Sequence, residues 1–269
     1  MKKILFYILL IFGAVAFTYP FFWMISASFA PETEIGKLVF LPSKFLLYSY
    51  RQVFAKIPIG RAFLNSLLVS ASVTTGVLIF GSMIGYSLSR LRFRGRDLIF
   101  YIIIFTMTLP FQITLIPQYI LMVKFHWVDT YLALIVPHLM NAFAILIFRQ
   151  HFQTIPQVLI DAARIDGCNE FQIIFRVLWP NSIPALVTVG IITFMTSWND
   201  VLWPLIVIRD DKLMTMPQLV ALFAVGGRAE SQLGVKLAAA TLLAAPIVLA
   251  YLFFQKYFIQ SMATTGLKE

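Results

Sequence analysis

Six apolar runs dominate this chain of 269 residues and constrain its fold more than any other feature. Each run approaches or exceeds the roughly 20 residues that an α-helix needs to cross a bilayer. The composition agrees, because 60% of the residues are hydrophobic, only 12% are charged and the mean hydropathy is +0.85, unlike a soluble domain. We therefore predict an all-α integral membrane protein with six transmembrane helices. The predicted spans cover residues 4–26, 62–89, 98–122, 131–150, 183–208 and 236–258.

The first run is also compatible with a secretory signal peptide. It follows Lys2 and Lys3 and contains Ala14-Val15-Ala16, which fits a cleavage site of small residues. The apolar residues continue to Ile25, however, which exceeds a usual signal-peptide core. An uncleaved first span is the favoured interpretation. Because no repeat, linker or low-complexity tract interrupts the chain, we predict a single transmembrane domain over residues 1–269.

The net charge of +9 does not indicate nucleic-acid binding, because the basic residues flank apolar spans and no separate basic domain carries them. The 21 Lys and Arg residues divide almost equally between the two sides of the membrane. Their density is more informative: Arg90, Arg92, Arg94 and Arg96 crowd one short loop, whereas the next loop holds only Lys124. The arginine-rich loop is expected on the cytoplasmic side. With six spans, both termini are then cytoplasmic.

Small residues and prolines within the spans predict close helix contacts and kinks. Gly81-x-x-x-Gly85 favours close approach of the second span to a neighbour. Pro110 and Pro117 are expected to break the third span, and Pro137 interrupts the fourth. Freed backbone groups at membrane depth need protein or water as partners. Such helices suit either a path that opens and closes or a static bundle.

Polar residues in the spans are candidates for lining a path through the membrane, although helix packing explains them equally well. Asp200 is the strongest, because an ionisable group at this depth usually faces a cavity or a partner, but it lies near a span end and water is an equal alternative. His138 has no carboxylate or second histidine at helical spacing, so it is interpreted as a packing residue and no metal site is predicted. The candidates are Asn65, Gln112, Asn141, Trp198, Asn199 and Asp200.

The segment of about residues 151–182, between the fourth and fifth spans, predicts a cytoplasmic helix-turn-helix. Pro156 suits the first turn of one helix, and Gly167 suits a left-handed stop. Asn169 and Gln172 have the spacing of a capping box for a second helix, which Pro180 is expected to end. Periodicity alone leaves two alternatives, a docking element for another protein and an amphipathic hairpin on the membrane surface.

This hairpin resembles the EAA motif of ABC importer permeases, roughly Glu-Ala-Ala-x-x-Asp-Gly-Ala followed by an aromatic-rich helix and a proline. Asp161 stands in place of the usual glutamate and Cys168 in place of the usual alanine. By this resemblance the hairpin is the coupling helix that docks the ATPase. The matching residues are Asp161, Ala162, Ala163, Asp166, Gly167, Phe171, Phe175 and Pro180.

The resemblance extends over nearly the whole chain, which is similar to the carbohydrate-uptake permeases of the maltose-transporter type. Within that family it resembles the shorter, six-span partner of a permease heterodimer. Further matching segments lie at residues 65–67, 91–93, 196–204 and 255–258.

The family resemblance implies import of a sugar or related solute across the bacterial cytoplasmic membrane. It implies a second homologous permease, two cytosolic ATPase subunits, an external solute-binding protein and contact with membrane lipid. ATP and Mg are then expected in the partner subunits, because Gly36-Lys37 lacks the flanking residues of a phosphate-binding loop. This chain is accordingly expected to carry no cofactor and to be no enzyme. The alternatives are an ion-coupled secondary transporter, a non-transport membrane protein, and a permease for a non-sugar solute such as glycerol phosphate.

Overall fold

The computed structural model describes residues 2–36, 41–225 and 232–266, with side chains for residues 3–36, 41–225, 232–249 and 252. In these ranges every regular element is a helix, which confirms the predicted all-α fold. The helices are α1 (Lys2–Ser28), α2 (Glu32–Ile35), α3 (Tyr48–Lys56), α4 (Ile59–Arg90), α5 (Arg96–Thr106), α6 (Phe111–Lys124), α7 (Tyr131–Ile135), α8 (Ala142–Thr154), α9 (Gln157–Ile165), α10 (Glu170–Gln172), α11 (Ile183–Trp198), α12 (Leu202–Val207), α13 (Met216–Val225) and α14 (Leu233–Gly266). Single 3₁₀ turns cover Val136–His138 and Pro180–Ser182, and a π-helical turn covers Ile173–Leu178.

Among the described residues, three helices are long and apolar enough to cross a membrane unbroken, namely Lys3–Ser28, Ile59–Arg90 and Pro180–Trp198. Two further pairs of helices pass the same test together but are bent, α5 with α6 by 102° and Tyr131–His138 with α8 by 40°. If each bent pair is one span, the count is five. The predicted sixth span, 236–258, falls in α14 but extends beyond the residues whose side chains are described, so the count of six stays a prediction.

The breaks in the helices follow the prolines only in part. At Pro110 the chain is extended (φ −59°, ψ 135°) and α6 begins at the next residue, so the predicted break is present. The predicted break at Pro117 is wrong, because Pro117 lies inside α6 and the helix continues past it to Lys124. A proline removes one N–H donor, and neighbouring bonds can carry the helix through that loss.

The chain forms two compact units, one of Met1–Ala62 with Met216–Ala250 and one of Phe63–Thr215 with Tyr251–Glu269. In the first unit the carboxylate of Glu32 accepts hydrogen bonds from the backbone N–H groups of Leu233 (2.5 Å) and Gly234 (3.1 Å). These are donors that the start of α14 leaves without an intrahelical partner. Glu32 thereby ties α2 to α14. The prediction of a single domain stays a prediction.

In the second unit α4 packs closely against α8 through its glycines. A Cβ added at Gly85 would lie 2.7 Å from the Cβ of Phe148, and one added at Gly81 would lie 3.1 Å from the Cβ of Ala144. The distance at Gly85 is too short for any Cβ, and the distance at Gly81 is tighter than an ordinary contact, so the glycines favour this close packing. The close approach predicted from Gly81-x-x-x-Gly85 is therefore present, and it is made to α8.

Candidate functional site

A helical hairpin connects α8 to α11 in the second unit. Its first helix, α9, begins directly after Pro156 and stops before Gly167, whose φ of +84° is the left-handed conformation that glycine adopts most easily. The side chain of Asn169 accepts a hydrogen bond from the N–H of Gln172 (2.9 Å), and the Gln172 side chain accepts one from the N–H of Asn169 (2.8 Å). The expected glycine stop and capping box are both present.

The second helix of the hairpin is less regular than expected. After α10 the chain takes a π-helical turn and then a 3₁₀ turn that begins at Pro180. The prediction that Pro180 ends the second helix is wrong. The fixed φ of proline is compatible with the start of a helix, and α11 follows at Ile183. The hairpin therefore runs directly into the long apolar helix α11.

Three charged or polar side chains hold the hairpin against α4. The guanidinium of Arg164 donates to Glu170 (Nε to Oε1, 3.1 Å) and to the hydroxyl of Tyr86 (3.2 Å), and that hydroxyl donates to Glu170. Partial burial would raise the pKa of Glu170, but the hydrogen bonds from Arg164 and Tyr86 and the Arg164 charge outweigh burial and lower the pKa below its ordinary value. Glu170 is therefore held as a carboxylate that joins both hairpin helices to α4.

A second set of hydrogen bonds anchors the two ends of the hairpin to α4. The guanidinium of Arg90 donates to the carbonyl of Phe152 (Nε to O, 3.0 Å), to that of Ile155 and to the side chain of Gln157 (3.0 Å). At the other end the indole N–H of Trp179 donates to the Ser82 hydroxyl (3.0 Å). The hairpin is therefore connected to α4 by hydrogen bonds and to α8 and α11 by the chain itself, so that its movement would displace all three helices.

The hairpin also carries several large apolar side chains that are exposed. Buried Ile160 and Ala163 point into the unit, whereas Ala162 is exposed. Asp161 and Asp166 are also exposed. An exposed apolar cluster of this kind outside the long apolar helices is typical of a surface that contacts another protein or the membrane. The large exposed side chains are Val158 (74%), Leu159 (43%), Ile165 (86%), Phe171 (59%) and Phe175 (37%).

A cavity of about 400 Å³ lies among the apolar helices of the second unit. At its polar end, Nε2 of His138 lies 3.9 Å from Oδ2 of Asp200. The Asp200 carboxylate also accepts a hydrogen bond from the N–H of Trp203 (3.3 Å), because α11 ends at Trp198 and α12 begins at Leu202. Asn141, whose side chain caps α8, lines the same cavity. Polar groups from separate elements thus converge on one volume.

A sequence profile decides the family. The family described as "Binding-protein-dependent transport system inner membrane component" matches residues 77–264, which include the hairpin and most of the cavity lining. The chain belongs to this family.

Relatives and one solved structure agree with this assignment. The permease is 35% identical to the arabinooligosaccharides transport system permease protein of Halalkalibacterium halodurans, over 96% of this chain and 94% of the relative. It is 30% identical to the lactose transport system permease protein of Rhizobium radiobacter, over 95% and 93%. Its fold matches a chain of a bacterial ABC transporter involved in the import of the acidic polysaccharide alginate, with a TM-score of 0.84, 26% identity and 96% of each chain covered.

The family resolves the main alternatives. The permease is a multi-pass inner-membrane subunit of an ABC importer, and a secondary transporter and a non-transport protein are excluded. It is not the catalytic subunit, because ATP hydrolysis belongs to a separate ATPase. An importer of this kind also has a partner permease and a solute-binding protein. The permease family carries no cofactor of its own. The described residues contain no cluster of three or more His, Cys, Asp or Glu side chains that could hold a metal ion.

The structure separates the six path candidates of the permease. Asn141 and Asp200 line the cavity. Trp198 is buried against Phe63 and Phe194, with ring centroids 5.7 and 5.8 Å away, and does not line it. The remaining three candidates do not line it either. Asn65 is buried and donates hydrogen bonds to backbone carbonyls, and Gln112 and Asn199 are exposed.

Two residues that sequence reasoning set aside or missed belong to these sites. His138 was interpreted as a packing residue because no carboxylate lies near it in sequence, yet the fold brings Asp200 beside it. Tyr86 carried no signal at all, since its partners Arg164 and Glu170 lie more than 75 residues away.

Proposed function

We propose that this permease forms one half of the translocation path of an importer for a sugar or a related solute. The names of its relatives support a sugar, since they refer to arabinooligosaccharides and lactose. A permease for sn-glycerol-3-phosphate from Pectobacterium atrosepticum is 28% identical over 95% of this chain, so an anionic solute is the second candidate.

The hairpin is proposed as the docking site of the ATPase. The observation that carries this proposal is the exposed apolar cluster on the hairpin, which nothing in the described chain covers. Ala162 leaves room for close approach, and Phe171 and Phe175 supply large apolar area. Asp161, which also pairs with Arg164 (3.6 Å), and Asp166 are exposed acids that suit basic partner groups. Gly167 sets the angle between the two helices.

The proposed assembly contains this chain as one domain, a second homologous permease, two ATPase subunits that bind ATP and Mg, and an external solute-binding protein. Both termini and the hairpin lie on the cytoplasmic side, as the arginine-rich loop predicts. Closure of the ATPases would move the hairpin, and its bonds to α4 and its continuity with α11 would pass that movement to the helices. Of the six candidates, Asn141 and Asp200, which line the cavity, are the proposed path residues.

The docking proposal is tested by placing a charge on the exposed apolar cluster. Ile165→Glu should reduce the ATPase that co-purifies with the permease by at least about tenfold, because a buried unpaired charge costs several kcal/mol. Leu47→Glu is the matched control: Leu47 is also a large exposed apolar residue (58%), but it lies between α2 and α3, far along the chain from the hairpin. That control should retain the ATPase.

If both variants lose the ATPase equally, or if neither loses it, the assignment of the hairpin as the docking site is wrong. Solute-stimulated ATP hydrolysis by the intact complex with its binding protein tests the importer itself. If a panel of arabinotriose, lactose and glycerol 3-phosphate stimulates no hydrolysis and drives no uptake, the proposed solute class is wrong.

A further inference from the structure

The ionisable side chains that line the cavity in the second unit are Asp200 and His138. Asp200 is the only carboxylate among the described residues that line it, and no Lys or Arg is among them. His138 is the one other ionisable group there, and Asp200 lies beside it. An anionic solute would therefore meet a carboxyl group and no Lys or Arg, whereas sites that bind phosphates or carboxylates normally provide Arg or Lys.

The same lining offers hydrogen-bonding groups that suit hydroxyls. A carboxylate accepts two or more hydrogen bonds, and neighbouring hydroxyls of a sugar can donate to both of its oxygens. Thr215, only 5% exposed, lines the cavity, and its hydroxyl has no hydrogen-bond partner in the described structure. A buried hydroxyl without a partner is costly unless a ligand or water satisfies it. Ser197 and Thr193 add further hydroxyls.

The remaining wall is apolar. Val69 and Val73 from α4, Leu134 from α7, and Pro137 and Pro204 close the cavity around its polar end. A few convergent polar groups in a mostly apolar cavity are the usual features of a small-molecule site, and about 400 Å³ is within the usual size range. Such a wall packs against the C–H faces of a sugar ring.

We propose that this cavity is a solute-binding site within this permease, that it takes one unit of an uncharged sugar, and that it disfavours anionic solutes. This inference rests on the proposed sugar-import function and narrows it. Asp200 accepts hydrogen bonds from the sugar hydroxyls, the His138 ring nitrogen 3.9 Å from it offers a second partner, and Thr215 bonds a further hydroxyl. The solute class is then neutral oligosaccharides, not sugar phosphates or uronates.

The test uses the intact importer in proteoliposomes, with arabinotriose and lactose as neutral probes and glycerol 3-phosphate and digalacturonate as anionic probes. Cys168, the only cysteine in the sequence, is replaced by serine. Thr196→Cys then places a reactive thiol in the cavity lining, and Asn199→Cys places one on an exposed neighbour outside it. Labelling by a small thiol reagent is measured without nucleotide and with ATP plus vanadate, so that both states are sampled.

A neutral probe that the importer transports should slow labelling of Thr196→Cys about tenfold at a concentration near ten times its dissociation constant, and should leave Asn199→Cys unchanged. The anionic probes should give no protection. Asp200→Asn should lower uptake of the same sugar by at least about tenfold, while ATP hydrolysis continues.

Three outcomes would overturn the proposal. Transport of a neutral sugar without protection in either state would show that the solute bypasses the cavity, although the importer function would stand. Protection or transport by an anionic probe equal to that of the neutral probes would remove the charge selectivity. Unchanged sugar uptake in Asp200→Asn would remove the role of the carboxylate. Uptake of no probe would instead count against the proposed sugar-import function.

Discussion

The hairpin and the cavity of this permease are built in opposite ways. The hairpin is one continuous segment from Pro156 to Ser182, and its shape follows from a glycine stop, a capping box and helical spacing within that segment. The cavity is lined by residues between positions 69 and 215, from α4, α7, the turn before α8, α11, α12 and the segment before α13. A change in the hairpin should therefore act through local backbone geometry, and a change near the cavity through tertiary packing.

The largest effect is expected from Gly167→Pro. Proline is restricted to a negative φ near −65° and cannot adopt the φ of +84° found at Gly167. The hairpin angle must then change, and solute uptake should fall by more than about tenfold, since each 1.4 kcal/mol is worth a factor of ten. Uptake and membrane insertion are both measured in the reconstituted importer.

Gly167→Asn is the matched control, because asparagine tolerates the left-handed conformation better than other residues and no atom lies within 4 Å of an added Cβ. It should retain most of the uptake. Wild-type uptake by Gly167→Pro would contradict the coupling role of the hairpin, and the cavity proposal would be unaffected.

A smaller effect, on stability, is expected from Asn65→Ala beside the cavity. The Asn65 amide donates to the carbonyls of Lys212 (3.0 Å) and Met214 (2.9 Å) and accepts from the Tyr131 hydroxyl (2.7 Å). Thr215 follows this anchored segment directly. The variant leaves buried polar groups without partners and should lower the free energy of unfolding by about 1–3 kcal/mol.

Unfolding in detergent, followed by circular dichroism, measures this loss. Asn199→Ala is the control, because Asn199 is exposed and bonds only to the carbonyl of Met195 within its own helix (2.9 Å). It should change stability by less than about 0.5 kcal/mol. Equal stability of the two variants would show that the hydrogen bonds of Asn65 to Lys212 and Met214 do not stabilise the segment beside the cavity.

The smallest effect is expected from Glu170→Gln, which removes the charge that joins the hairpin to α4. The Arg164 and Glu170 side chains are 37% and 47% exposed, so solvent screening limits the loss to roughly 0.2–1 kcal/mol at pH 7. Because the pKa of Glu170 is lowered in the folded state, its contribution is present above the unfolded-state pKa and disappears as the pH falls through the folded-state pKa.

The difference between wild type and Glu170→Gln should therefore shrink below about pH 4. Thermal unfolding at pH 7 and in acid measures it. Asp166→Asn, which changes an exposed acid in the same turn, should show no such difference at either pH. A difference that persists in acid would contradict the proposed charge contact with Arg164.

The hairpin is more predictable from the sequence than the cavity is. The stop at Gly167 and the cap at Asn169 depend on the conformational preferences of single residues, which a sequence displays directly. The π-helical turn and the passage through Pro180 were missed, because packing in the tertiary structure overrides local preference there. Of the six path candidates only Asn141 and Asp200 line the cavity, since a polar residue in an apolar run does not show which side it faces.

The sequence by itself determined that this protein is a helical membrane protein with a glycine-hinged hairpin, because apolar run length, proline and glycine positions and capping residues act over a few turns. The motif resemblance it carried also indicated the family. Only the tertiary structure decided that His138 meets Asp200, that Tyr86 holds Arg164 and Glu170, and that Gly85 admits Phe148. These contacts join residues 62 or more positions apart, and their pairing depends on how long helices pack, which no local pattern encodes.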